Sequence, residues 1–237
     1  SWRDFTGQPN TDFTQPSGDY LCERAFQLAE QLIETGPVHV TPVTCGAPAD
    51  ATSAYIERED PSRPGTLAVR LQLADGDQIG RAVSCAANDS DQWHRVPVDE
   101  RCRILEQVAD RIESQRPALM ATALVETGKT FFESDPEVSE AVDFVRFYSL
   151  VANEYSSFHG TQAKPAGPVV VLSPWNFPIA IPCGGIAASL AAGNAVILKP
   201  APSASATAAR ICQCFWESGI SRRTLQLVPC LGRDAGE

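Results

Sequence analysis

The sequence predicts an α/β protein built on a parallel, wound sheet with flanking helices, and three observations carry that prediction. No charged residue lies between Lys164 and Lys199, a run of 34 residues. Short apolar or β-branched runs at Gly167–Ser173, Ala195–Leu198 and Thr224–Val228 alternate with helix-length stretches at Ile179–Ala192 and Ser203–Ser218. The joints between them are short, which gives the strand–helix–strand–helix–strand order of parallel crossovers.

An uncharged run of that length must also be weighed as a membrane-spanning helix. Pro174, Pro178, Pro182, Gly184, Gly185, Gly193 and Asn194 interrupt it, so it reads as buried core, and no transmembrane segment is expected. Composition agrees: 237 residues, 43% hydrophobic and 20% charged, can bury a core. Asp and Glu total 29 against 19 Lys and Arg, a net charge of -10. That excludes nucleic acid or an anionic membrane surface as the main partner. Residues 1–165 hold 14 basic and 26 acidic side chains, and residues 166–237 hold 5 and 3. An anionic ligand is therefore expected in the C-terminal third. The eight cysteines fall mostly in helix-like or strand-like runs and are expected to be reduced, buried thiols in a cytoplasmic protein. With only His39, His94 and His159 and no C-x-x-C, no metal site is expected. The chain begins at Ser1 without a basic leader and apolar segment, so no secretion signal is expected, and the chain reads as part of something longer.

In chain order, residues 1–66 form a lead-in segment with one helix over Tyr20–Glu34, where Leu21, Ala25, Leu28, Ala29 and Leu32 share a face. Thr66–Leu73 is a strand, and Asp75-Gly76-Asp77 is a turn. Residues 67–165 are mainly helical. A first helix runs from Pro97 with Val98, Cys102, Leu105, Val108 and Ile112 on one face. Ala118–Glu126 is a second, closed by Thr127-Gly128-Lys129. Ser134-Asp135-Pro136-Glu137 opens a third, with Val138, Val142, Val145, Tyr148 and Ala152 inward. Residues 166–237 hold the three strands, and the first is expected to be buried on both faces.

In a wound sheet, ligands gather at the carboxyl ends of the strands. The turn Ser173-Pro174-Trp175-Asn176-Phe177-Pro178 follows the first strand, and its prolines fix Asn176 at a helix mouth. That amide suits an oxyanion donor, and it equally suits a cap for the next helix. Leu198-Lys199-Pro200-Ala201-Pro202 places one cation after the second strand, either for ribose or phosphate or as a solvated surface group. No G-x-G-x-x-G, P-loop or G-x-S-x-G is present, and Gly232 with Gly236 is a weak glycine pattern.

Ser173–Pro178 with the following helix, Leu190–Asn194 (L-A-A-G-N) and Ile197–Pro200 (I-L-K-P) closely resemble the NAD(P)-dependent aldehyde dehydrogenase superfamily. Glu126-Thr127-Gly128-Lys129 fits the same pattern. Glu140–Tyr148 resembles the glutamate-semialdehyde (pyrroline-carboxylate) dehydrogenase branch, and Pro9–Phe13 resembles the segment before that module in bifunctional proline-utilisation enzymes. The resemblance covers residues 5–237 and implies an incomplete Rossmann-type sheet whose catalytic domain is absent. It implies a parent that oxidises L-glutamate γ-semialdehyde to L-glutamate through a cysteine thiohemiacetal, passing hydride to NAD, with NADP left open. By the same resemblance Asn176 holds the oxyanion, and Ser173, Pro174 and Trp175 lie along the cofactor. Lys199 contacts the adenosine ribose, Gly232 and Gly236 face the adenine side, Phe177 lines the aldehyde tunnel, and Glu140 meets the substrate amino group. The chain departs from the family at Pro202, where an acid is common, and at Cys230, where a Gly is common. None of its cysteines stands in a G-Q-x-C context, so this chain alone is expected to be inactive. The implied parent is a homo-oligomer, with a proline dehydrogenase module as a candidate fusion partner. A non-enzymatic cofactor-binding or assembly module, and another branch such as succinate-semialdehyde or betaine-aldehyde oxidation, stay open.

Overall fold

A computed structural model describes residues 2–50, 54–89, 91–160 and 163–236. Helix α1 (Pro16–Glu34) starts on a proline whose fixed φ suits a first turn, four residues before the start expected at Tyr20. It buries Ala25 and Ala29 on one face. Four short strands follow: β1 (Val38–Val40), β2 (Val43–Thr44), β3 (Ala47–Pro48) and β4 (Tyr55–Glu59). Strands this short carry too little alternation to stand out in a sequence. β5 (Leu67–Gln72) matches the expected strand closely.

The Asp75–Asp77 turn expected from the sequence is instead the start of helix α2 (Gly76–Asn88). Asp75 accepts the Gln78 N–H while the Gln78 side chain returns to the Asp75 N–H, a reciprocal cap. Helices α3 (Val98–Ser114) and α4 (Arg116–Thr127) fall where the periodicity places them. Leu105, Val108 and Ile112 of α3 are fully buried, each side chain contributing roughly 1.5–3 kcal/mol by leaving water. Gly128 ends α4 with φ of 72°, which favours glycine.

Helix α5 (Phe131–Ser156) begins before Ser134, and Pro136 lies inside it. Its true cap is Thr130, which exchanges hydrogen bonds with Glu133. The N-terminal segment docks on this helix: Thr11 donates to Asp135 at 2.8 and 2.6 Å, and the Gln8 N–H donates to Asp143 at 2.6 Å.

The wound part follows as β6 (Val169–Ser173), α6 (Ala180–Ala191), β7 (Val196–Pro200), α7 (Ser205–Glu217) and β8 (Leu225–Leu227). β6, β7 and β8 are parallel neighbours, as expected. The full order is β3-β2-β8-β7-β6, because the β2–β3 hairpin adds antiparallel strands beyond β8. A second sheet has the order β1-β5-β4. Helices α3, α5 and α6 pack on one another, and α1 packs on α4.

β6 corrects one expectation. It is the edge strand, and its outward residues Val170 and Leu172 are 53% and 65% exposed. Val171 and Ser173 turn inward and are buried, and Val169 on the same face packs partly against the core. A β-branched run is compatible with burial on both faces or on one, so composition alone does not separate the two. No helix among the described residues is long and apolar enough to cross a membrane.

Candidate active site

The two turns singled out in the sequence end neighbouring parallel strands. Leu172 pairs with Lys199 and Ser173 with Pro200, and the Ala201 N–H donates to the Ser173 carbonyl at 3.0 Å. Lys199 and Pro200 belong to β7 itself, so the second turn begins at Ala201 rather than at Leu198. Both crossovers therefore open at the carboxyl edge of the sheet, where a wound fold places its ligands.

The first crossover is held from beneath. Helix α6 has no side-chain cap from its own turn. Its leading N–H groups, those of Ile179 and Ala180, donate to Glu137 Oε2 at 3.0 and 3.2 Å. Glu137 comes from α5 and is buried. The other oxygen, Oε1, meets only the ammonium of Lys129. Lys129 also donates to the Asn176 carbonyl at 2.7 Å and lies 4.3 Å above the Phe177 ring. At its far end, α6 is fastened by Trp93 and Arg101, which donate to the Leu190 and Ala191 carbonyls at 3.0 and 3.2 Å. Acid at the N-terminus and base at the C-terminus both complement the helix dipole. The turn is thus fixed at backbone level.

These contacts decide one alternative left open by the sequence. Asn176 does not cap α6, since Glu137 takes that role. The Asn176 side chain is exposed and has no hydrogen-bond partner among the described residues. Trp175 and Phe177 are also exposed, at 59% and 43%, while Ser173 is buried. Glu140 lies on α5 one turn after Glu137 and is exposed. Partial burial, then the charges of Glu137 and Asp143, push its carboxyl above the ordinary range, with Lys129 opposing.

The second crossover uses the same device with different partners. Glu126, at the end of α4, is buried and accepts the Ala206 and Thr207 N–H groups at 2.7 and 2.8 Å. It also accepts the Thr207 hydroxyl at 2.8 Å and the Ser205 hydroxyl at 3.3 Å. Burial pushes its carboxyl up, and those hydrogen bonds pull it down less strongly. Lys199 lines a small cavity of about 80 Å³ with Ile79, Val83, Val170, Val228 and Ala235. It makes no ion pair among the described residues, and its charge acts on Cys230, whose thiol burial pushes up and Lys199 draws down. Gly232 and Gly236 lie in the turn region after β8, with no helix formed there. A side chain at Gly232 would meet nothing within 4 Å. Of the expected site residues, Ser173 to Phe177 and Lys199 lie at the carboxyl ends of neighbouring strands. Gly232 and Gly236 flank Ala235 at the Lys199 cavity.

Glu137 and Lys129 were not foreseen. Their clue was available in hindsight, as a helix opening on two prolines with no cap of its own and acids on the preceding helix. Of the thiols, Cys230 lines the Lys199 cavity. Cys183 is buried and its Sγ faces the Ala141 carbonyl at 3.6 Å, and burial raises it well above the ordinary thiol value. Burial likewise raises Cys212, and it pushes Cys214 up to about 11. All eight cysteines are free, four of them buried and four half-buried rather than all buried.

Residues 48–237 match the aldehyde dehydrogenase family. The bifunctional protein PutA of Klebsiella aerogenes is 39% identical over 177 residues, 75% of this chain and 13% of that protein. 1-Pyrroline-5-carboxylate dehydrogenase 1 of Halalkalibacterium halodurans is 29% identical over 240 residues, 97% of this chain and 46% of that protein. The structure of 1-pyrroline-5-carboxylate dehydrogenase from Thermus with bound NAD superposes with a TM-score of 0.88 at 26% identity, over 98% of this chain and 46% of that one. The chain therefore spans less than half the length of these relatives.

Proposed function

The chain belongs to the aldehyde dehydrogenase family, and from that premise we propose that it forms the first half of the active site of an enzyme oxidising L-glutamate γ-semialdehyde to L-glutamate. Residues 67–165 supply the helical support and 166–237 the first βαβαβ part of a dinucleotide-binding sheet, with 1–66 leading in. The observation that carries the reading is the Ser173–Pro178 turn, rigid in its backbone yet presenting an exposed Asn176 amide with no partner among the described residues, at the end of the strand that pairs with Lys199.

The groups present suit a nicotinamide dinucleotide. An ammonium without an ion-pair partner among the described residues lies beside an apolar surface of Ile79, Val83, Val170 and Val228, a chemistry that accepts ribose hydroxyls and a flat base. When bound, the cofactor takes up a hydride. Lys199 would hold the adenosine ribose, and Ser173, Pro174 and Trp175 would help to hold the dinucleotide. Gly232 and Gly236 keep the adenine side open. Phe177, propped by Lys129, walls the aldehyde entrance. Asn176 donates its amide N–H to the developing oxyanion, and Glu140 receives the substrate amino group. NAD is the proposed cofactor, since it is the one bound in the Thermus relative. The catalytic cysteine and general-base glutamate belong to a part of the protein outside this chain. The PutA relatives are described as bifunctional, and by that analogy a proline dehydrogenase module is the proposed fusion partner.

The test is a kinetic comparison. This chain alone is expected to give no aldehyde-dependent NAD reduction. The protein carrying its coding continuation is expected to prefer glutamate γ-semialdehyde over succinate semialdehyde and betaine aldehyde. Absence of NAD or NADP reduction with every aldehyde would overturn the enzymatic reading, and a preference for another aldehyde would move it to another branch.

A further inference from the structure

On the far side of β8 from β6, two thiols meet in a setting that the dehydrogenase reading does not use. Cys45 and Gly46 form the two-residue turn between β2 and β3, with φ of 51° and 93°. Paired left-handed torsions define a hairpin turn in which Asn, Asp or Gly ordinarily takes the first place. A cysteine there stores backbone strain, and such outliers point toward a use for the side chain.

The Cys45 Sγ lies 3.4 Å from the Arg81 carbonyl on α2. That carbonyl is one helical turn before Cys85, on the same face. The two thiols are close enough that Cys45 acts electrostatically on Cys85. Both line one open surface hollow of about 580 Å³, together with Arg81, Ser84 and Asn88. The approach is held by a buried residue rather than by chance. Gln226 of β8 is fully buried, accepts the Cys45 N–H at 2.8 Å and donates to the Ala82 carbonyl at 2.9 Å. It pins the hairpin turn against α2. Arg223 packs its side chain against Gly46 and lends positive charge to the pair.

We propose that Cys45 and Cys85 form a thiol–disulfide exchange site that reacts with small-molecule disulfides. Burial, then the hydrogen bond to Cys45, pushes the Cys85 thiol up to about 11. Cys85 thus keeps its proton, which leaves Cys45 as the first attacking sulfur and Cys85 as the resolving one. The Cys45 thiolate attacks one sulfur of the small disulfide. That S–S bond breaks, and the departing thiolate takes up the proton Cys45 released. Cys85 then loses its proton and attacks the Cys45 sulfur of the mixed disulfide. The Cys45–Cys85 bond forms as the second small thiolate leaves and is protonated. Two protein thiols become one disulfide, and one small disulfide becomes two thiols. The product is a staple between the β2–β3 hairpin and α2, parallel to the Gln226 bridge.

The experiment exposes the folded chain to glutathione disulfide, quenches in acid, alkylates in denaturant and maps the peptides. The thiol count is expected to fall from eight to six, with one peptide pair joined through Cys45 and Cys85 and full reversal by dithiothreitol. The oxidised chain is expected to unfold at higher urea than the reduced one. Cys85→Ser should trap a glutathione adduct on Cys45, and Cys45→Ser should abolish the cross-link. Cys45→Ala, with reduced-state urea midpoints of all variants, checks that the turn still folds. The proposal is overturned if Cys45 and Cys85 both stay alkylatable in the folded wild type. It is equally overturned if the cross-links join other cysteines or two chains.

Discussion

The two crossovers at the carboxyl edge of the sheet solve the same problem with different electrostatics. Each following helix begins without a cap from its own turn, and each borrows a buried glutamate from the helical layer. Glu137 serves α6 and is paired with Lys129, whereas Glu126 serves α7 and is held only by backbone N–H groups and hydroxyls. The cation makes the difference in role. Lys129 reaches past its carboxylate to the Asn176 carbonyl and the Phe177 ring, so the first turn is both anchored and opened to solvent. At the second crossover nothing reaches outward from Glu126, and Lys199 is left to act on its own. One crossover presents groups, and the other closes a core.

Removing Glu137 should have the largest effect. Glu137→Ala strands a mostly buried ammonium and two helix N–H groups, and breaking a buried pair from one side costs about 3–5 kcal/mol. Urea unfolding should show that loss as a lower midpoint with an unchanged slope. Glu126→Ala is the matched change at the other crossover. It leaves two buried N–H groups unpaired without stranding a charge, so about 1–3 kcal/mol is expected. Equal losses at the two sites would break the comparison, because they would mean that Lys129 adds nothing.

A pH series sharpens it further. The Glu126 carboxyl is raised in the folded state above its ordinary 4.5, chiefly by burial. Its contribution is therefore full below that value and is lost as pH rises through the folded value. Glu126→Gln removes the titration and keeps an acceptor for the N–H groups. The stability of wild type relative to this variant should decline as pH climbs from about 4 toward neutrality. A difference that grows with pH would show that the hydrogen bonds outweigh desolvation.

Legibility in the sequence followed the same divide. The wound half was readable because β6, β7 and β8 are apolar runs separated by helices of ordinary length, and because the prolines around Asn176 mark the turn without any knowledge of its surroundings. The supports were not readable. Glu137 reaches Ile179 across 42 residues and Glu126 reaches Ala206 across 80, and no local pattern encodes such a span. Asp75 shows the same limit at short range, since an Asp-Gly-Asp triplet suits a turn and a helix cap alike. The exposure of Val170 and Leu172 was hidden too, because strand order decides which run lies at the edge.

The smallest stability effect is expected at the residue with the largest proposed chemical one. The Asn176 side chain is exposed and has no partner among the described residues, while its backbone is held by Lys129 and the flanking prolines. Asn176→Ala should therefore shift the urea midpoint by no more than about 0.5 kcal/mol. In the protein that carries the coding continuation, the same change should lower kcat by about 10²–10³, the effect of losing one oxyanion donor. KM should change little, because the amide acts on charge that develops after binding. A stable variant with intact kcat would remove Asn176 from the chemistry. An unstable one would show that the first crossover relies on its exposed amide for folding, and the contrast with the second would then fail at its most exposed point.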